Sequence, residues 1–187
     1  MTAVNQQSPQ TEQALPAGTW QLDPIHSSAG FAVKHMVVAT FRGRFEDFDA
    51  SLEVAEDGSG KLVGSVDPKS IVVKDENLAG HLQSPDFFDT EKYDAIRFES
   101  SSIRIEGDEA VLEGELTIKG NTNPVTARGA YVGPHEDIAG NTKIGLSFET
   151  VVDRTLYGLN WNAPLPKGGF ALSNEVTLIV ELELAKA

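Results

Sequence analysis

The sequence predicts an all-β protein, built as an antiparallel barrel or sandwich of about eight strands. Three observations indicate this class. Apolar and polar residues alternate with a period of two after Gly18, turns rich in Gly, Asp and Asn separate the alternating segments, and no repeat of fixed length is present. The chain of 187 residues is long enough for one domain with its own core.

The alternation assigns a buried face and a wet face to individual strands. In FAVKHMVV, Phe31, Val33 and His35 share one face, and Lys34 lies on the other. Two further inward sets are Ala110, Leu112, Gly114, Leu116 and Ile118, and Val176, Leu178, Val180, Leu182 and Leu184. Other strands are predicted at about 18–23, 40–54, 60–73, 95–105, 124–132 and 142–154.

The stretch DENLAGHLQSPDFFD, residues 75–89, breaks this period and predicts a short helical insertion. Ser84–Asp86 has the residue types of a helix start: a capping hydroxyl, a proline in the first turn and an acid near the positive end of the helix dipole. Leu78 and Leu82 are predicted to form an apolar face. This face either plugs one end of the barrel or covers a ligand entrance as a lid.

The composition disfavours several classes of function. The 28 acidic and 15 basic residues give a formal net charge of −13, which argues against nucleic-acid binding and against docking on an anionic membrane by charge alone. The chain contains no cysteine, so disulfides and thiolate chemistry are excluded, and it has no apolar run long enough for a membrane span.

The first residues differ from the rest of the chain. Residues 1–17 are polar and predict a flexible N-terminal arm, followed by one domain at 18–187. They lack the basic and apolar regions of a secretory signal. If Met1 is the native start, this predicts a cytoplasmic protein.

The histidines form no recognisable metal motif. His26, His35, His81 and His135 include no helical i, i+4 pair and no His-x-His strand pair, so neither a metal nor another cofactor is predicted. His26 is expected to hydrogen-bond Asp23 in a turn. His35 is either a core histidine satisfied by a polar neighbour or a polar contact inside a pocket. The sequence has no Gly-x-Ser-x-Gly elbow and no phosphate-binding loop, and we predict no catalytic residues.

With these classes disfavoured, the sequence still predicts a closed sheet with an apolar interior. Barrels of about eight strands can hold one small ligand. Several inward positions are small: Gly43, Gly64, Gly114, Ala127 and Gly129. Small residues leave volume or bend the strands, so a filled core and a ligand cavity both fit the pattern. A lipid-binding protein would need no motif, because each buried CH₂ contributes roughly 0.8 kcal/mol.

Four blocks of sequence occur in order over residues 18–185. They are GTWQLDPIHSSAGFAVKHMVVATFRGRF at the start, His81 to Phe98 with HLQSPDFFD, Leu116–Val125 with LTIKGNTNPV, and Asp153-Arg154 followed by Gly158. In residue types and spacing they resemble the YceI-like family, the lipocalin-like polyisoprenoid-binding proteins.

The resemblance implies an extended lipocalin-like antiparallel β-barrel that holds a long-chain polyisoprenoid, an isoprenoid quinone or another long-chain lipid. It implies a homodimer without enzymatic activity, for lipid storage, transport or shielding, with a link to stress left open. In this family His26 fixes the first turn, His35 faces the tunnel, and Gly158–Leu172 forms a rim or dimer loop. The expected ligand-binding residues of the interior are Phe31, Val33, His35, Phe45, Leu112, Leu116, Phe148 and Leu178.

Two other functions stay open at this point. One is a hydrolase or isomerase that acts on a small hydrophobic substrate, with His35 and an acid such as Asp23 near the barrel mouth. The other is a structural or interaction protein whose core is filled by its own side chains.

Overall fold

The computed structural model of the protein describes residues 14–187, which form one antiparallel sheet and one α-helix, α1, Glu76–Gln83. Short 3-10 turns lie at Pro68–Ser70 and Arg154–Tyr157. The strands are β1 Gly18–Leu22, β2 Ser28–His35, β3 Ala39–Phe45, β4 Phe48–Val54, β5 Gly60–Val66, β6 Ile71–Val72, β7 Ile96–Glu106, β8 Glu109–Ile118, β9 Asn121–Glu136, β10 Thr142–Asp153 and β11 Leu172–Lys186.

The sheet closes on itself through β11. This strand pairs with β10 on one side, and with β1 and β2, which lie end to end, on the other. β3 and β4 continue the same arrangement, because β3 pairs with β2 and β4 with β1. The strand segments therefore form a closed barrel of eight antiparallel strands with one short helix, which confirms the predicted fold class.

Two of the predicted strands are interrupted by bends. The strand expected at 40–54 divides at Glu46 and Asp47, where the Glu46 N–H donates to the carbonyl of Ser70 at 3.2 Å. The strand expected at 60–73 is interrupted by the turn Pro68–Ser70, which Asp67 caps by accepting from the Lys69 N–H at 2.8 Å. Each of these two predicted strands is therefore two strands in the structure. The two parts of each pair with different neighbours.

The helix begins earlier in the chain than the sequence predicted. Asp75 caps α1 by accepting the Leu78 N–H at 2.9 Å. Ser84 ends the helix: its hydroxyl donates to the carbonyl of His81 at 2.7 Å, and its N–H donates to the same carbonyl. The predicted helix start at Ser84 is therefore wrong. Pro85 follows the helix instead, since a proline just beyond a C-terminal cap cannot continue it.

One end of the barrel, which carries the β4–β5, β7–β8 and β9–β10 turns, is filled by side chains and is called the closed end. Trp20 has no exposed surface, and its indole N–H donates to the carbonyl of Pro16 at 3.0 Å. Leu15 joins the same apolar cluster at 4% exposure, so the packed chain includes the last residues of the predicted arm. Residues 1–13 of that arm lie outside the described residues.

Two of the small inward residues make room for aromatic rings. Gly43 on β3 pairs with Phe31 on β2, and a Cβ at position 43 would lie 2.6 Å from the Phe31 ring. Gly114 on β8 pairs with Ser100 on β7, and a Cβ at position 114 would lie 2.6 Å from the ring of Phe98, two residues along β7. These two glycines therefore admit phenyl rings into the barrel and leave no empty space.

Candidate ligand-binding cavity

An apolar cavity of about 320 Å³ occupies the other end of the barrel, called the mouth. Side chains of β2, β3 and β11 form much of its wall, and α1 and the segment 154–172 cover it. Small-molecule sites commonly measure about 300–1,000 Å³. A second cavity of about 170 Å³ lies deeper and shares Ile96 and Leu178 with the first, so the apolar path extends from the mouth toward the closed end.

The eight residues predicted to bind ligand all belong to these cavities or to the core around them. The mouth cavity is lined by Phe31, Val33, His35 and Leu178. The deeper cavity is lined by Leu112, Leu116, Phe148 and Leu178. Phe45 is buried at 8% exposure, with its ring centroid 6.0 Å from that of Phe31 and 5.9 Å from that of Phe88. Contact of these residues with a ligand stays a prediction.

Strand β2 presents alternate residues to the cavity and to solvent. Val33 is 8% exposed and faces the cavity, whereas Lys34 is exposed on the outer face, as the period of two predicted. His35 lines the cavity but is itself exposed, because it ends the strand at the mouth. It is therefore a residue of the rim and not a polar group enclosed by apolar neighbours.

Arg154 belongs to the fourth sequence block, but the sequence did not predict its role in the cavity wall. It is 5% exposed, and its guanidinium donates to the carbonyl oxygens of Leu159, Trp161 and Ser173, the last two at 2.9 Å. It also donates to Oδ1 of Asn174 at 3.4 Å. Within residues 14–187 no carboxylate pairs with it, and burial lowers its pKa. Arg154 thus fastens the segment over the mouth to the barrel.

Asp153, the neighbour of Arg154, has a different task. Its carboxylate accepts the N–H and the hydroxyl of Thr155, at 2.9 Å and 2.6 Å, and so caps the 3-10 turn. The turn ends at Gly158, whose φ of 75° lies in the left-handed region that favours glycine. Asp153 and Arg154 therefore bond to different groups and not to each other. The signal that could have identified Arg154 was its place in the fourth sequence block.

An aromatic cluster joins α1 to the covering segment. The imidazole of His81 packs edge-on against Phe87 and Trp161, with centroid distances of 5.0 Å and 4.8 Å. Its Nε2 lies 3.0 Å from Oδ2 of Asp86. Leu82 of α1 is 6% exposed and lines the cavity. The helix therefore covers the cavity as a lid, while other residues fill the closed end.

A charged cluster lies at the closed end, outside the cavity. His26 Nδ1 lies 3.0 Å from Oδ2 of Asp23, which confirms the hydrogen bond expected in the first turn. Nζ of Lys143 lies 2.9 Å from Asp23, 2.6 Å from Glu183 and 3.6 Å from Asp137. Asp23, His26 and Glu183 are close enough to hold a metal ion. The Lys143 ammonium already supplies their positive charge, and its pKa is raised chiefly by the hydrogen bonds to Glu183 and Asp23.

An enzymatic function would depend on Asp23 and His35, and only Asp23 belongs to this cluster. Asp23 lies at the closed end, bonded to His26 and Lys143, whereas His35 lies at the mouth. Since the whole length of β2, Ser28–His35, separates them along the barrel wall, the structure does not bring Asp23 and His35 together.

We expect acidification to destabilise the closed end. Hydrogen bonds from Asn141 lower the pKa of Asp137 to about 2, and hydrogen bonds from His26 and Lys143 hold the pKa of Asp23 well below its usual range. A lowered folded-state pKa stabilises the protein above the unfolded value of about 3.8, and this stabilisation is lost as pH falls through the folded value. The urea midpoint should therefore fall most steeply between about pH 4 and pH 2.

A variant without the cation of this cluster tests the role of Lys143. Lys143→Met leaves Asp23, Glu183 and Asp137 without their shared ion pair, so its loss of stability should be larger at pH 7 than at pH 3. An equal loss at both pH values would contradict the role given to Lys143.

The closed barrel and its apolar cavity define a class of protein: a closed antiparallel β-barrel with an apolar cavity in its interior. The chain belongs to the YceI-like family, since the model of the YceI-like domain matches residues 20–184. This confirms the family resemblance of the four sequence blocks. Among the described residues, no helix has the length and apolar character needed to cross a bilayer.

Individual relatives agree with this assignment. A UPF0312 protein of Staphylococcus aureus (strain N315) is 33% identical over 166 residues, which are 87% of this chain and 95% of that protein. The structure of Burkholderia cenocepacia BcnA matches with a TM-score of 0.73 at 21% identity, covering 87% of this chain and 98% of that one. A polyisoprenoid binding domain from Saccharophagus degradans, implicated in plant cell wall breakdown, matches with a TM-score of 0.61 at 13% identity, covering 90% and 98%.

Proposed function

We propose that the protein binds a long-chain polyisoprenoid or isoprenoid quinone in its barrel and catalyses no reaction. The observation that carries this proposal is the apolar path formed by the two cavities, which share Ile96 and Leu178. The YceI-like family and the polyisoprenoid binding domain among the similar structures support it.

The ligand is held by its tail. Each buried CH₂ is worth roughly 0.8 kcal/mol, so a tail of about 20 carbons gains on the order of 15 kcal/mol before the cost of association. That cost is about 4–15 kcal/mol, so apolar burial alone supplies useful affinity. The accessible polar groups of the wall, His35 and His81, lie at the mouth, which supports a ligand orientation with the polar head at the mouth and the tail toward the closed end.

The ligand can be identified on the purified protein. Native mass spectrometry and organic extraction should reveal a co-purified lipid with an isoprenoid tail, and stripped protein should take up added decaprenol or ubiquinone. Fatty acid of similar chain length serves as the competitor. Repeated recovery of empty protein that binds none of these lipids would refute the proposed function.

Homodimer formation and a role in storage, transport or shielding belong to the same proposal, supported by the family alone. Sedimentation equilibrium at micromolar concentration tests the dimer, and a monomer mass removes it. The cytoplasmic location stays a prediction.

A further inference from the structure

Four apolar side chains stand in solvent beside the mouth. Met36, Val37 and Val38 form the loop between β2 and β3, and Phe170 lies in the covering segment. Val38 is 86% exposed, Val37 72% and Phe170 60%. The Met36 N–H donates to the carbonyl of Ala171 at 2.7 Å, and Val37 and Phe170 border one surface depression. We call these four residues the mouth patch.

The backbone of this loop does not suit its residues. The φ angles are 50° at Met36 and 66° at Val37, in the left-handed region that glycine and asparagine adopt readily and a β-branched residue rarely does. The Val37 side chain is mostly exposed, so packing within the barrel does not repay the strained backbone. Strained residues of this kind concentrate at functional sites.

The charge around the mouth patch differs from that of the whole chain. Although the net charge is −13, residues 24–45 and 154–174, which carry the patch, contain no aspartate or glutamate. The exposed side chains of Lys34, Arg42 and Lys167 lie in these stretches, and none of the ion pairs found within residues 14–187 includes them. The mouth patch is therefore flanked by cations with no acid in the same segments.

Many of the acidic residues lie far from the patch. The turns at the closed end carry Glu56, Asp57, Glu106, Asp108, Glu109, Glu136 and Asp137. The 15 residues of β11 span about 50 Å along the strand, whereas the Debye length is about 8 Å at physiological salt. Acids at the mouth end include Asp153 of β10, Glu175 of β11 and residues of α1 and its flanks, and Glu175 lines the same surface depression as Lys34, Val37 and Phe170. The repulsion from the acids of the closed end is thus largely screened at the patch, whereas Glu175 lies beside it and offsets part of the charge of Lys34.

A surface groove connects this region with the cavity. Among residues 14–187, β3 pairs with β6 only through Arg44 and Phe45, so within this part of the chain the first part of β3 has an unpaired edge. The groove along that edge shares Phe31, Phe41 and Leu78 with the mouth cavity. A ligand that enters between β3 and the start of α1 therefore reaches the cavity directly beside the mouth patch.

We propose that the mouth patch docks the barrel on an anionic lipid bilayer, and that lipid passes between bilayer and cavity through the groove at β3. Apolar side chains at the tip enter the interface, while the flanking cations contact lipid phosphates. Neither the apolar contribution nor the electrostatic contribution to binding is large, but both act on the same surface. This docking role rests on the proposed function, because it concerns how the same cavity is loaded.

The test compares vesicles of phosphatidylcholine with and without phosphatidylglycerol in a co-sedimentation assay. Wild-type protein should bind the vesicles that contain phosphatidylglycerol more tightly. Val37→Asn combined with Val38→Ser should weaken that binding about tenfold or more, since two exposed apolar side chains are lost. Asparagine suits the positive φ of position 37, so this variant should fold at least as well as wild type.

The matched control is Ile138→Asn, which removes an equally exposed aliphatic side chain, 109% exposed, from the β9–β10 turn at the closed end. It should leave vesicle binding unchanged. A second variant, Lys34→Glu with Lys167→Glu, should remove the preference for phosphatidylglycerol and leave binding to pure phosphatidylcholine as it is. An equal loss in Ile138→Asn would overturn docking through the mouth.

Uptake of decaprenol from solution, measured without vesicles, separates docking from the proposed function. Wild type that takes up decaprenol and binds no vesicles overturns docking and leaves the function intact. Vesicle binding that is lost in the patch variant, with uptake unchanged, supports docking; vesicle binding without any uptake supports docking and overturns the function. A wild-type dimer that the patch variant converts to monomer, with no vesicle binding, overturns docking and assigns the patch to contact with a second copy.

Discussion

Replacing Val33 by aspartate should abolish retention of the hydrophobic ligand. Val33 is 8% exposed in the wall of the mouth cavity and lies between Phe41 on β3 and Val176 on β11. Because β2 is paired on both sides, the strand cannot slip to move the carboxylate into water. Burial of an unpaired carboxylate costs several kcal/mol. This cost lowers the free energy of unfolding, the affinity for the ligand or both. Native mass spectrometry of the purified variant measures the retained lipid.

The control introduces the same carboxylate one position further along the strand. Lys34 is exposed on the outer face, so Lys34→Asp should change the free energy of unfolding by no more than about 0.5 kcal/mol and leave retention of lipid added from solution to the stripped protein unchanged. Val33→Thr keeps the shape of valine and adds one hydroxyl, so it should fold and hold the ligand more weakly. Full retention in Val33→Asp, or an equal loss in Lys34→Asp, would show that β2 does not line the binding site.

Replacing Arg154 by methionine should destabilise the segment that covers the mouth. The change leaves the buried carbonyl of Leu159 and the half-buried carbonyls of Trp161 and Ser173 without this donor, and a buried group left unsatisfied costs about 1–3 kcal/mol. We therefore expect a loss of about 3 kcal/mol or more in the free energy of unfolding. Hydrogen exchange should also become faster in residues 159–171 than elsewhere.

Lysine at position 154 distinguishes geometry from charge. Arg154→Lys keeps the cation but lacks the planar fork of donors that reaches three carbonyls at once, so it should restore only part of the lost stability. Exchange in residues 159–171 should stay faster than in wild type. Full rescue by lysine, or unchanged exchange in the methionine variant, would contradict the role given to the guanidinium.

The faces of the strands could be predicted from the sequence because side-chain direction is a local property. On β8, Leu112 and Leu116 are 4% and 6% exposed. Glu115, which lies between them in the sequence, is exposed on the other face, as the period of two predicts. On β2 the same rule placed Val33 inside and Lys34 outside. A strand needs no knowledge of its partner to obey this alternation.

The bends and the extent of the cavity could not be predicted, because they depend on distant pairings. The division between β3 and β4 follows from their separate partners, β2 and β1. The small size of Gly43 did not tell whether the space beside it is empty or filled. The register of β2 and β3 shows that the ring of Phe31 fills the space beside Gly43. Arg154 was missed for the same reason: its partners lie 5 to 20 positions along the chain, in a segment with no period of its own.

Strand β11 sets the order of events during synthesis of the chain. Of the described strands it is the last to leave the ribosome, and it pairs with β1, β2 and β10. Until residues 172–186 emerge, a nascent chain has neither a closed barrel nor a cavity, and long-range pairing of this kind is slow. A ligand can therefore enter the cavity only after residues 172–186 have been made and have paired. The closed end is packed by its own side chains, so this part of the barrel has a core that does not depend on a ligand.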